Sequence, residues 1–407
     1  MIGGHRTRRR VRNRVRVAIA ALLAAAATLV LPVAAIVAPP GSGWSTGAGP
    51  IGRLLAPIVR AASPELTVVA DTRYVVDPAG HRLRITADLQ LTNTKADTAT
   101  RRYYFDNLSI AVLPGAQQLA VSGGSGRPTV RVAGRTSTYT LLSIGFGQRL
   151  YSKQTLVLRL TFAVPDPGGE PTREIRIGDA LVTFPVWALG TEATPGGTVR
   201  VVFPPGYTVA VVTGQLSGPE TAPDGSLVYR AGPLADPVAF FAYLVGERDG
   251  AFRDVIRTTR LGDSTLAVRL RAWADDPGWA ERVGDLFVRA LPVIGALLGI
   301  PYEGRNPLVV SEATSRVLGG YAGLFEPDAG EITVSYRAEP FIVLHEAAHA
   351  WFNGRLFSDR WIVEAFASLY AERAAAELGI AVDPPAPPAP GTAMPLNAWG
   401  AIGSTPP

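Results

Sequence analysis

The sequence predicts an α+β protein in which an N-terminal antiparallel β-sandwich or saddle domain precedes a mainly helical second domain. Between residues 65 and 250, several runs alternate apolar and polar residues with a period of two, most clearly RLRITADLQLT at 82–92. After residue 275, long segments with helical spacing replace most of this alternation. An uncharged run at 17–38 predicts an additional N-terminal hydrophobic helix.

The N-terminus has the pattern of an export signal. Residues 1–16 contain seven arginines and no acidic residue, and the apolar run at 17–38 follows them directly. A helix of this length covers about 33 Å, enough to cross a bilayer. The pattern is typical of a signal peptide or a retained anchor, and a buried helix of a soluble domain is the alternative. We expect an extracytoplasmic protein of the cell envelope, either membrane-anchored through 17–38 or secreted.

Charge and composition exclude several classes of protein. The 407 residues carry a net charge of +5, and subtracting the seven N-terminal arginines (+5 minus 7) leaves −2 for the remainder, which argues against a nucleic-acid partner. A hydrophobic fraction of 47% excludes a disordered chain. The sequence has no cysteine, so disulfides, thiol catalysis and cysteine-ligated metals are excluded.

Composition and turn residues divide the chain into segments. Turn-rich sequences such as DPAG at 77–80 and DPGG at 166–169 separate the predicted strands, and PPAPPAP marks an extended C-terminal tail. The predicted segments are a basic cytosolic segment (1–16), a signal peptide or anchor helix (17–38), a linker (39–64), a β-rich domain (65–250), a second domain (251–380) and a Pro/Ala-rich tail (381–407).

Two predicted helices of the second domain contain the candidate metal-ligating and catalytic residues. They are predicted at about 340–353, ending at Asn353-Gly354, and at 359–378, ending at Gly379. The first contains His345, Glu346 and His349, an H-E-x-x-H pattern. Histidines four apart leave one helix face and can bind one zinc ion, while the intervening glutamate lies beside the metal and can deprotonate a zinc-activated water.

A catalytic zinc ion usually has three protein ligands and one open position. If the two helices form a hairpin, the carboxylate of Glu364 comes back over the two histidines, which makes it the favoured third ligand. Glu372, Asp359 or no further protein ligand are the alternatives. Arg355 occupies the position at which a third histidine would complete a metzincin motif.

HEAAHAWFN at 345–353, followed by DRWIVEAFASLYAE at 359–372, resembles the gluzincin metallopeptidases of the aminopeptidase N type. The resemblance implies a β domain followed by a thermolysin-like catalytic domain, one zinc ion, and a peptide substrate. It also implies that His345, His349 and Glu364 are the zinc ligands and that Glu346 is the general base.

The sequence departs from that family in three places. Only 14 residues separate His349 from Glu364, where the family usually has 18, and Ala365 replaces the usual glycine. The stretch 321–333 has a glycine, an acidic residue and then a predicted edge strand, as the family's substrate-binding G-A-M-E-N segment does, but its residues differ from that motif. Glu326 is therefore the candidate for binding a substrate amine, together with Gly323. The family's transition-state tyrosine has no counterpart after Tyr370, and its helical C-terminal domain is missing.

The sequence therefore supports two functions. The first is an exported or membrane-anchored zinc metallopeptidase, aminopeptidase-like, with Glu346 as general base. The second is a non-catalytic or weakly catalytic envelope binding or scaffold protein whose metallopeptidase-like domain holds zinc structurally. The altered stretch at 321–333 favours it, as do the lack of counterparts to the family's tyrosine and to its helical C-terminal domain.

Overall fold

The structure is a computed structural model that describes residues 65–382 except for 251, 315–316, 319–320, 327–328 and 358. It is mostly β, with 47% strand and 16% helix. The predicted N-terminal segments (1–16, 17–38 and 39–64) and nearly all of the predicted tail lie outside the described residues. Within the described part of the chain, every helix is too short or too polar to cross a bilayer.

The first fourteen strands build an all-β unit. Their bounds are β1 Leu66–Asp77, β2 Arg82–Asn93, β3 Tyr104–Val112, β4 Gln117–Gly123, β5 Thr129–Arg135, β6 Thr140–Tyr151, β7 Thr155–Pro165, β8 Arg176–Ile177, β9 Leu181–Trp187, β10 Thr198–Phe203, β11 Thr208–Thr213, β12 Ser217–Thr221, β13 Leu227–Ala231 and β14 Phe241–Glu247. They form three sheets of seven (β12-β13-β10-β1-β2-β7-β4), four (β11-β14-β9-β8) and three (β3-β6-β5) strands. One apolar core, drawn from residues 66–244, joins the three sheets.

The alternation in the sequence sets which face of each strand is buried. Strands β1 and β2 pair antiparallel without a bulge, from Leu66 opposite Asn93 to Asp77 opposite Arg82. Along β2, Leu83, Ile85 and the apolar residues at every second position are fully buried, while the polar residues between them lie at the surface. Strand β1 also pairs with β10 in parallel, an exception in a largely antiparallel unit.

The second unit contains a sheet with helices packed on it. Its strands are β15 Phe252–Leu261, β16 Ser264–Trp273, β17 Leu308–Ala313, β18 Gly323–Glu326 and β19 Glu331–Ser335, in the order β15-β16-β17-β19-β18. Its helices are α1 Pro277–Leu298, α2 Pro340–Ala348 and α3 Arg360–Leu378. Strands β16, β17 and β19 run parallel, and β18 lies antiparallel at the edge.

The predicted fold class is wrong in its second half, because this unit is not a mainly helical domain. The sheet supplies buried residues such as Val268, Leu270 and Val310, and the helices pack their apolar sides on it. Helical periodicity in the sequence is strongest at the motif-bearing segments, whereas short buried strands give weaker periodic signals. The described part of the chain is therefore mostly β.

An ion pair and a hydrogen bond join the two units. Arg176 of β8 donates to Asp276, 2.8 Å away, and the Asp276 side chain also accepts from the backbone N–H of Trp279 in the first turn of α1. The backbone N–H of Asp179 donates to the carboxylate of Asp275. These contacts fix the start of α1 against the β unit.

Candidate metal centre

Helix α2 carries the two histidines on one face. Pro340 begins the helix, where its missing N–H costs no hydrogen bond. Helix α2 ends at Ala348, five residues before its predicted end, because the Asn353 side-chain amide donates to the carbonyls of His349 and Ala350 and terminates the last turn. His345 and His349 remain one turn apart, with their ring centroids separated by 4.8 Å.

Helix α3 brings the third side chain to the histidines. It ends at Gly379, whose φ of 65° is left-handed, and the N–H of Ile380 donates back to the carbonyl of Ala375, as the sequence predicts. The face of α3 in the core is built of small residues that allow close helix packing: Val363, Ala367, Ala371, Ala374 and Ala375. Glu364 lies next to this face, one turn into the helix, and its carboxylate reaches α2.

Three ligand atoms from the two helices converge on one point. Nε2 of His345 lies 3.2 Å from Nε2 of His349 and 3.2 Å from Oε2 of Glu364, and the third side of the triangle, from His349 Nε2 to Glu364 Oε2, is 3.6 Å. A tetrahedral zinc ion with bonds of about 2.0–2.1 Å requires ligand separations of about 3.3 Å. The triangle therefore fits a zinc ion that leaves one coordination position open.

The hydrogen bond that Nδ1 of His349 makes leaves the lone pair of Nε2 directed into this triangle. This Nδ1 lies 2.7 Å from the carbonyl oxygen of Phe352, which can only accept, so Nδ1 carries the ring proton and Nε2 of the neutral ring is a bare acceptor. It faces another imidazole nitrogen and a carboxylate oxygen. Two imidazole nitrogens and a carboxylate oxygen directed at one point are a ligand set that a zinc ion can bind.

A serine supports the other histidine. Oγ of Ser368 lies 3.2 Å from Nδ1 of His345 and fixes the orientation of that ring. Sequence reasoning did not select Ser368, although its place four residues after Glu364, on the same face of α3, was a usable signal. Phe325 was also missed, and its ring stacks on that of His349 with centroids 5.9 Å apart.

Glu346 lies in the same cluster but does not belong to the triangle. One carboxylate oxygen of Glu346 and one nitrogen from each of His345 and His349 all lie within 4.8 Å of one another, a group that could hold a metal ion. The side chain is 4% exposed, and its Oε2 has no hydrogen-bond partner. Burial raises the pKa of Glu346 to about 7, and the charge of nearby Glu364 adds to the rise.

Burial and the neighbouring ligand side chains shift the pKa values of His345 and Glu364. Burial disfavours the carboxylate form of Glu364, but the two adjacent imidazoles outweigh this and hold its pKa well below the ordinary range. Burial lowers the pKa of His345. The site therefore offers an ionised carboxylate and a neutral His345 ring, the protonation states in which both side chains bind metal.

The edge strand β18 brings Gly323 to the site, but it turns Glu326 away from it. A Cβ atom on Gly323 would overlap the carboxylate of Glu346, and Phe325 faces His349. Because side chains alternate along a strand, Glu326 points to the opposite face, where it is exposed. Of the two residues predicted to bind substrate, Gly323 therefore lies beside the candidate metal site, whereas Glu326 lies on the opposite face of the strand.

The alternative third ligands lie elsewhere. Glu372 is exposed two turns further along α3, and Asp359 is the residue that precedes the first turn of that helix. Tyr370 packs against the ring of Phe352, with centroids 5.0 Å apart. Among the described residues, Glu364 is the carboxylate that approaches both imidazoles at hydrogen-bonding or ion-pair distance.

No protein-family model matches this sequence, and no curated protein matches it. Among solved structures, the chain is similar to an M1 zinc metallopeptidase from Deinococcus radiodurans, with 19% identity, 78% of this chain and 73% of that chain covered, and a TM-score of 0.30. It is also similar to a variant of a two-domain M1 zinc metallopeptidase bound to L-tryptophan, with 20% identity, 78% and 72% covered, and a TM-score of 0.31.

Proposed function

We propose that this protein is a zinc-dependent metallopeptidase, aminopeptidase-like, that is exported and either anchored through residues 17–38 or secreted. The observation that supports it is the near-equilateral triangle formed by Nε2 of His345, Nε2 of His349 and Oε2 of Glu364. Its sides match those of one face of a tetrahedral zinc site. Export rests on the arginines and the apolar run of residues 1–38.

His345, His349 and Glu364 would hold one zinc ion. A zinc ion in such a site supplies a Lewis acid for the scissile carbonyl and lowers the pKa of water toward about 7. Glu346 is the general base in this proposal. Its carboxylate, beside the ligands, accepts a proton from the attacking water and then passes that proton to the leaving amine.

The peptide substrate has a place along the edge of the sheet. Strand β18 is the last strand of the five-stranded sheet, and among the described residues no further strand pairs with its outer side, so an extended peptide could pair with the backbone groups there. Gly323, at the start of β18, is where this edge meets Glu346. A peptide paired with β18 would lie with its backbone close to the general base.

The test uses the full chain in detergent and compares wild type with Glu346→Gln. We expect one zinc ion per chain in both proteins, measured by elemental analysis, and a loss of peptide hydrolysis of about 10²–10⁴-fold in Glu346→Gln. Glu372→Gln, an exposed change on α3, is the matched control and should keep both zinc and activity. Equal activity in Glu346→Gln would end this mechanism.

The second candidate function is a scaffold or binding protein in which zinc is structural. The burial of Glu346 and His349, 4% and 5% exposed, favours it, because a structural zinc site is closed to solvent. Zinc bound in full, together with no hydrolysis of any peptide by wild type, would establish this function and exclude the first.

Exopeptidase action is decided by the substrate's free amine. Peptides with a free and with an acetylated N-terminus, otherwise identical, separate the two modes of cleavage. An aminopeptidase cleaves only the free peptide. If both are cleaved at the same rate, the enzyme does not require the substrate's free amine and is an endopeptidase.

A further inference from the structure

Helix α3 has a second apolar face that the described residues leave uncovered. Ile362, Ala365, Phe366 and Leu369 follow the i, i+3, i+4, i+7 spacing of one helix stripe, and the last three are exposed. We call these four residues the outer stripe of α3. Leu369 is 39% exposed and Phe366 is 37% exposed.

The outer stripe is separate from the face of α3 that enters the core, and it extends an aromatic cluster. Phe366 stacks on Phe357 and Phe352, with ring centroids 5.5 Å away in both cases. Leu356, beside this cluster, is 41% exposed. A helix that is apolar on both sides normally has both sides buried. We therefore expect another apolar segment to cover the outer stripe.

The chain itself supplies a segment of matching chemistry. Residues 384–407 contain no charged side chain, and within them Met394, Leu396, Trp399 and Ile402 are large and apolar. The polar residue Thr392 precedes them, and Asn397 lies between Leu396 and Trp399. An uncharged apolar segment of this kind gains stability by covering another apolar surface.

The position and length of the connection place this segment within reach of the outer stripe. At Gly379 the chain reverses, because Ile380 donates to the carbonyl of Ala375, and Ile380 and Val382 pack against the core. From Ile362 to the end of the helix at Leu378 the distance is about 24 Å at 1.5 Å per residue. An extended proline-rich chain of eight residues, the length of 383–390 (DPPAPPAP), covers about 25 Å at 3.1 Å per residue.

We propose that residues 391–403 dock on the outer stripe of α3, with 383–390 as a spacer that returns along the helix. In this arrangement Leu396, Trp399 and Ile402 cover Phe366 and Leu369. The docked segment forms an outer wall next to the helix turn that carries Glu364. The proposal does not depend on the bound metal or on peptidase activity.

Cross-linking in the full chain tests this directly, because the protein has no cysteine of its own. Asn397→Cys is combined with Ala365→Cys or, as the matched control, with Ala376→Cys. Both alanines are exposed and lie on nearly the same side of α3, eleven residues apart, but Ala376 is nearer to the start of the tail. A short bismaleimide should link position 397 to position 365 at least about 5-fold more efficiently than to position 376.

A tail without a docking site gives the opposite result, because chain connectivity favours the nearer position. Equal or greater linkage at 376, or linkage mainly between two chains, would overturn the proposal. A second pair of variants checks the contact itself. Leu396→Asp with Trp399→Asp should abolish the preference for position 365, whereas Ser404→Asp with Thr405→Asp, which adds the same charge outside the docking segment, should keep it. If both double variants keep the preference, the apolar contact is refuted.

Discussion

The backbone of Gly323 lies directly against the carboxylate of Glu346, so no side chain fits at that position. Gly323 begins the edge strand β18, and Glu346 lies between the two histidines of α2. This approach connects the edge of the sheet to the proposed general base, and it makes the glycine a requirement of the site.

Gly323→Ala should displace the Glu346 carboxylate and leave the zinc ligands in place. We expect normal zinc content and a loss of turnover of about 10²-fold, since misplacing a catalytic group by about 1 Å has effects of this size. Steady-state kinetics and elemental analysis measure the two quantities. Leu324→Ala, on the opposite and exposed face of the same strand, is the control. Unchanged turnover in Gly323→Ala would show that the contact has no catalytic importance.

Removing one member of the ligand triangle should abolish tight zinc binding. Glu364→Gln leaves two imidazoles as protein ligands, fewer than the three that a catalytic zinc usually has. We expect less than one zinc ion per chain after dialysis against a weak chelator. Glu372→Gln, two turns further along α3, should retain the metal. Full zinc content in Glu364→Gln would show that a different residue is the third ligand.

Ser368→Ala should weaken zinc binding by about 10–100-fold, because partners that orient a ligating histidine have effects of that size. The hydroxyl of Ser368 holds Nδ1 of His345. Competition with a chromophoric chelator gives the zinc affinity. Ser368→Thr keeps the hydroxyl and should bind zinc as wild type does. If Ala and Thr behave alike, the hydrogen bond is not what holds the ring.

Glu312 should make the stability of the protein fall as pH rises. It is buried at the junction of the two units, where it accepts from the backbone N–H of Trp273, and burial together with nearby Asp276 raises its pKa to about 9. The folded state then holds a proton that the unfolded chain releases above its ordinary pKa of 4.5. Stability therefore decreases between pH 4.5 and 9, by at most about 1.4 kcal/mol per pH unit.

Glu312→Gln removes this titration while keeping the shape of the side chain. Urea unfolding at pH 5 and at pH 8.5 should show the variant gaining stability relative to wild type at the higher pH. A stability difference that is the same at both pH values would mean that Glu312 is ionised in the folded protein.

Local signals in the sequence predicted the parts of the site that lie on single helices. The spacing of His345 and His349 fixes both side chains on one face of α2, and Gly379 fixes the end of α3. These two features depend on helix geometry alone, which a sequence reports well. The approach of Glu364 to both histidines requires in addition that α2 packs against α3, and this depends on the tertiary structure.

The prediction of a mainly helical second domain was wrong. The strands β16, β17 and β19 have local strand signals of their own, but their assembly into one parallel sheet joins segments distant in the chain, whereas the helices that bear the motif stand out in the sequence. The predicted helix at 340–353 stops at Ala348 because of a side-chain hydrogen bond from Asn353, which periodicity does not report.

The amino-acid order alone predicts an H-E-x-x-H helix, a candidate third ligand, an alternating β region and a basic, apolar N-terminus. The folded chain adds that Gly323 touches Glu346, that Glu326 faces away, that Ser368 holds His345 and that the described residues leave the outer stripe of α3 uncovered. Periodicity reports only which side of one element a residue occupies. Contacts between elements depend on sheet order and helix packing, which bring together residues distant in the chain.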